Sequence, residues 1–97
     1  MAVNALVPYI TKLLLENDRV RVSEFDVKPG EKTELHGHPD FIIYPLNSGA
    51  LRMTMPDGRS QDAEFREGEP VYHSGQWHTA ENRSDKELRL LVIDLKS

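Results

Sequence analysis

Apolar residues recur along this chain in short runs, and turn signals interrupt them before any run reaches the length of a typical helix. Pro29-Gly30, Gly37, Ser48-Gly49, Pro56-Asp57-Gly58, Gly68 and Ser74-Gly75 punctuate the sequence, and the segments between them alternate apolar and polar positions as half-buried strands do. The pattern predicts strands at Lys12 to Leu15, from Arg19 to Val27, over 33–38, at Phe41 to Leu46, Leu51 to Met55, Ala63 to Arg66, Glu69 to His73, His78 to Asn82 and Leu88 to Leu95. Roughly eight or more short strands in so small a chain predict an all-β jelly roll or small barrel. Val20 and Val22 sit on one parity and Phe25 and Val27 on the other, which predicts a bulge near Ser23-Glu24.

One run departs from alternation. Phe41-Ile42-Ile43-Tyr44-Pro45-Leu46 is apolar on both parities, so its outer side needs cover from residues 1–11, read as an N-terminal arm or first edge strand, or from a second subunit. A homodimer is therefore expected.

Composition narrows the rest. Ninety-seven residues, 38% of them hydrophobic and 29% charged, fit one globular domain spanning 1–97. The net charge of -4, with no block of like charges, argues against nucleic acid as a partner. The apolar residues near the N-terminus follow no basic segment, and no run approaches a membrane span, so the expectation is a soluble, cytoplasmic protein with no membrane partner. Cysteine is absent, which removes disulfides and thiolate chemistry and leaves histidine, carboxylate or water to hold any metal.

The chain has four histidines, His36, His38, His73 and His78. His36 and His38 are spaced two apart, so on a strand they point to one face. His78 follows the Gly75-Gln76-Trp77 turn, and in a small barrel it can face the other two across the lumen. Three neutral imidazoles at about 2.0 to 2.1 Å would hold a divalent first-row ion and leave coordination positions open. Tyr44 shares parity with Ile42 and is either a core tyrosine or a hydrogen-bond donor to a bound anion. His73 is either a pocket-edge or exposed histidine or a group that transfers protons or orients substrate. Glu24, Asp26, Glu34, Asp40 and Glu81 are candidates for orienting an imidazole. Asn82, on the face of His78, either caps a turn or supplies a supporting hydrogen bond, and Trp77 either packs or shields the site.

Two segments carry a resemblance. Gly30, then His36-Gly37-His38, then Gly49 is similar to the first motif of the cupins, and Gly68 through Ser74-Gly75, His78 and Asn82 resembles the second. The resemblance implies a cupin double-stranded β-helix, a jelly-roll barrel holding a divalent metal on His36, His38 and His78, and frequent dimers. Cupins usually add a glutamate three or four residues beyond the second histidine, where this chain has Ile42 and Ile43. That departure resembles three-histidine cupins such as β-diketone and thiol dioxygenases, and implies iron(II) binding a small chelating substrate. Zinc, nickel or manganese in an isomerase, lyase or cyclase, or a cupin that only binds a ligand or metal, are the alternatives.

Overall fold

The computed structural model describes residues 6–96. Nine strands form, β1 (Lys12–Glu16), β2 (Val20–Val27), β3 (His36–His38), β4 (Phe41–Pro45), β5 (Gly49–Thr54), β6 (Ser60–Phe65), β7 (Val71–His73), β8 (Gln76–Asn82) and β9 (Leu88–Leu95), and there is no helix among the described residues. They make two antiparallel sheets, one ordered β1-β2-β9-β4-β7 and the other β3-β8-β5-β6. The all-β expectation holds, and most strand positions were readable from the alternation.

The sheets meet over an apolar core that follows the period of two. In β9 the inward parity is Leu88, Leu90, Val92 and Asp94; in β2 it is Ser23, Phe25 and Val27; in β4 it is Phe41, Ile43 and Pro45. Leu51, Met53, Phe65 and Ala80 close the core from the other sheet. Burying a large side chain of this kind contributes on the order of 2 kcal/mol relative to exposing it.

The expected bulge at Ser23-Glu24 is not there. Val20 through Val27 pair with Leu95 through Leu88 without a shift, so Val20 and Val22 simply face outward beside Leu95 and Ile93. The apparent change of parity arose because both faces of this sheet carry apolar residues. The irregularity lies one strand over, where β1 shifts register between Leu13 and Leu15.

Two glycines set how close the site-bearing segments approach. A Cβ on Gly75 would lie 2.9 Å from the His38 carbonyl oxygen and 3.1 Å from the Pro39 carbonyl carbon. Only glycine lets the β7–β8 turn nest on the β3–β4 turn. Asp40 ties the same turns together, accepting from the Gly75 amide at 2.7 Å and from the Tyr72 hydroxyl at 2.7 Å. At Gly37 a Cβ would meet the Trp77 ring at 2.6 Å; Trp77 packs there, on the outer face of its sheet.

Residues 6–11 do not cover β4. They run as a strap between the two sheets: the Val7 amide donates to the Lys32 carbonyl at 2.9 Å, and the Thr11 amide to the Glu24 carbonyl at 2.8 Å. The remainder of the predicted arm, residues 1–5, lies outside the described residues.

Candidate metal centre

His36 and His38 leave β3 on one face, and His36 pairs directly with His78 of β8. One ligand nitrogen from each of the three lies within 4.8 Å of the others. The cluster is buried: His36 is 7% and His78 2% exposed.

What the rings do with their other nitrogen decides which one faces the centre. His36 Nδ1 donates to the Glu34 carbonyl at 2.9 Å, His38 Nδ1 to Asp94 Oδ1 at 2.7 Å, and His78 Nδ1 to Gln76 Oε1 at 3.0 Å. The first two partners are pure acceptors, and the Gln76 amide nitrogen donates to the Ser74 carbonyl at 3.3 Å, which turns its oxygen toward His78. Each ring therefore carries its proton on Nδ1, and each Nε2 lone pair is free to point inward. That is the arrangement by which proteins orient metal-binding histidines. Ligand distances of about 2.0 to 2.1 Å at tetrahedral angles place nitrogens about 3.4 Å apart, so a small inward movement of the rings suffices to close on an ion. The residues present fit a divalent metal.

Electrostatics keep the ligands available. Burial, opposed by the Glu34 carbonyl and assisted by His38, pushes His36 down to about 4, and burial together with the neighbouring imidazoles pushes His78 down to about 3. Both rings are neutral, as ligands must be. Asp94 is 1% exposed; burial would raise it, but the hydrogen bond from His38, then the hydrogen bond and charge of Arg21, hold it below the usual carboxylate range.

Beside the imidazoles lies a small, partly open cavity of about 20 Å³ with Tyr9, Phe25, Phe41, Ile43, Leu51 and Met53 among its walls. It has room for one water-sized or diatomic molecule. Ile43, not Ile42, is the inward isoleucine, and it supplies no ligand. Among the described residues the centre therefore has three imidazoles and no carboxylate facing it.

Not every predicted residue belongs here. Tyr44 lies on the opposite face of β4, 39% exposed, because the pairing of Ile43 with Val92 turns Phe41 and Ile43 inward and Ile42 and Tyr44 outward. His73 is a layer removed, stacked on Phe41 at 5.1 Å and 15° with its Nε2 buried and unpartnered, and it does not line the cavity. Burial, then His38, lowers its pKa. Asn82 is a turn cap, donating to the Val27 and Lys86 carbonyls at 2.8 and 2.9 Å and accepting from the Ser84 amide at 2.7 Å. None of the five carboxylates proposed to orient an imidazole does so; Glu34 contributes its backbone carbonyl instead. Asp94 takes that role. Its signal was present in the sequence, since it continues the inward parity of Leu88, Leu90 and Val92.

The cupin-domain family matches residues 23–94. Among solved structures, a cupin domain from Bordetella pertussis is 28% identical with a TM-score of 0.83, the match covering 96% of this chain and 98% of that one. A cupin family protein with a double-stranded β-helix fold from Methanocaldococcus jannaschii is 17% identical with a TM-score of 0.68, covering 88% and 77%. A cupin superfamily protein from Desulfitobacterium hafniense is 20% identical with a TM-score of 0.64, covering 88% and 74%. Among curated proteins there is no match. The family match takes in both histidine segments and Asp94, over most of the chain's length: this protein belongs to the cupin family.

Proposed function

We propose that the protein is a metal-dependent cupin that binds iron(II) through His36, His38 and His78 and acts as a dioxygenase-like oxidoreductase on a small chelating substrate. The reading rests on one observation: three inward imidazoles converge with Ile43, rather than a carboxylate, beside them. Without a ligand carboxylate a bound dication keeps more of its charge and more open positions, which favours an anionic or bidentate oxygen ligand. When bound, iron(II) would supply Lewis acidity and a redox centre. The protein's own groups orient the imidazoles and line a largely apolar cavity large enough for a diatomic molecule.

The small volume of that cavity favours a second reading, in which a redox-silent ion is held without turnover or serves non-oxidative chemistry. Elemental analysis of protein purified without added metal, followed by oxygen uptake with 1,3-diketones and small thiols, separates the two. The expected result is about one iron per chain and substrate-dependent oxygen consumption. Bound zinc with no uptake by the iron-loaded protein would sink the dioxygenase reading.

The protein is proposed to act as a homodimer through the outer face of the five-stranded sheet. Leu15 pairs with Val22, Val22 with Ile93, Ile93 with Ile42 and Ile42 with Tyr72, so an uncharged apolar row crosses all five strands. Leu15 is 53% and Tyr72 58% exposed. An uncharged stripe of this kind is complementary to itself under two-fold symmetry, and sheet faces pack well on one another. Sedimentation at micromolar concentration should show a dimer that Ile93→Lys converts to monomer; a monomeric wild type would refute it.

A further inference from the structure

The three imidazoles are held by different means, and two of them lead to one guanidinium. Arg21, on β2, donates through Nε and Nη2 to Asp94 Oδ2 at 3.2 and 2.9 Å. That leaves Asp94 Oδ1 to accept from His38 at 2.7 Å. The same Nη2 donates to the Tyr9 hydroxyl at 3.0 Å, and the Tyr9 ring lies flat on His36, with centroids 4.1 Å apart and planes 7° from parallel. Its edge meets His38 at 5.3 Å and 79°.

Tyr9 is placed there by a strap pinned at both ends. Val7 bonds to the Lys32 and Glu34 backbone ahead of β3, and Thr11 to the Glu24 backbone, with its hydroxyl also accepting from the Asp26 amide at 2.9 Å. The strap thus joins the two sheets beside the cavity that Tyr9 lines, and between its ends the hydroxyl of Tyr9 is anchored by Arg21. The backbone pins fix the path of the strap. They do not fix the Tyr9 ring, which can rotate off His36 if its hydroxyl is released.

We infer that Arg21 is a positioning residue that sets two of the three imidazoles at once, His38 through Asp94 and His36 through Tyr9. The inference rests on the metal-binding reading for its effect on affinity, but not for its effect on the rings. Loss of the guanidinium removes both hydrogen bonds that hold Asp94 Oδ2, so the carboxylate is free to turn and His38 loses its fixed acceptor. The same loss removes the hydrogen bond that Arg21 makes to the Tyr9 hydroxyl, which holds the ring over His36. Groups that orient metal-binding histidines alter metal affinity by about 10- to 100-fold when removed, and a group serving two ligands belongs at the upper end of that range.

The test uses Arg21→Ala, Tyr9→Phe and the double variant, with Arg21→Gln as the milder replacement should the alanine variant fail to fold. Zinc affinity is measured by competition with a chromophoric chelator. The His36 ring protons are followed by NMR without metal, where the stacked Tyr9 shifts them upfield. The expected result is zinc binding weakened by about 100-fold in the Arg21 variant, loss of the upfield shift, and no further loss when Tyr9→Phe is added, because the hydroxyl already has no partner. A purely structural Arg21 would give additive effects and an unmoved His36 signal, and that outcome overturns the inference. If the wild type binds no zinc, the metal reading falls, while the His36 signal still decides the role of Arg21.

Discussion

Replacing His78 by alanine is expected to weaken zinc or cobalt(II) binding by at least about 100-fold and to bring the metal content of protein loaded with one equivalent close to zero. Structural four-ligand zinc sites are worth about 10 to 16 kcal/mol, so one ligand accounts for about 3 kcal/mol, or roughly two decades in affinity. The effect is larger here, because a centre that starts with three protein ligands is left with two. The fold should survive. His78 borders the existing cavity, and a large-to-small replacement at such a position costs on the order of 2 to 3 kcal/mol, within the usual stability of a small domain. Equilibrium dialysis with elemental analysis measures the metal, and far-UV circular dichroism verifies the fold. His73→Ala is the matched control. It removes another imidazole, half-buried and stacked on Phe41, yet should leave binding unchanged because His73 is not among the converging nitrogens. Unchanged stoichiometry in the His78 variant, or equal losses in both, would remove the three-histidine assignment.

How far the sequence anticipates this centre depends on how local each contact is. The His36-Gly37-His38 pair and the last strand were legible because they need only the strand period of two. Their pairing with His78 was legible only through the spacing of both glycine-bounded segments. The orientation of β4 was not. Phe41 to Leu46 is apolar on both parities, so nothing local distinguishes Ile42 from Ile43, and the choice is made by the hydrogen-bond register with β9. The same two-sided hydrophobicity produced the false bulge in β2. Tyr9 and Arg21 were out of reach for another reason. Arg21 meets an aspartate 73 positions away and Tyr9 reaches His36 along a strap with no period to read, so their roles exist only once the sheets have closed. Asp94 lies between these cases: its parity marked it as buried, and a buried carboxylate needs a partner.

The protein without metal is expected to lose stability as pH falls from about 6.5 toward 3.5. In the unfolded chain histidine titrates near 6.5, whereas in the folded state burial, more than any neighbour, pushes His36 down to about 4 and His78 to about 3. Between those values the unfolded chain binds more protons than the folded one, so stability rises with pH across the window and is lost on acidification. The two rings contribute on the order of 3 kcal/mol each when the window is crossed in full. That is a large share of the roughly 5 to 15 kcal/mol that holds a domain of this size together. Asp94 acts in the same direction at the acid end, since His38 and Arg21 hold its folded pKa below the usual value. Asp26 opposes them. Burial, then Glu24, raises it to about 6, so its contribution is lost as pH rises from about 4 to 6, one carboxylate against two imidazoles. Urea unfolding of metal-free protein at pH 7, 5.5 and 4.5 should show a midpoint that falls at each step, and His78→Gln should flatten the dependence because it removes the more strongly shifted ring. Bound metal steepens the same curve, since protons compete with it for the three imidazoles. A midpoint constant from pH 7 to 4.5 in the metal-free protein would mean that these rings titrate in the fold as they do in the unfolded chain, and burial would then not be what keeps them neutral.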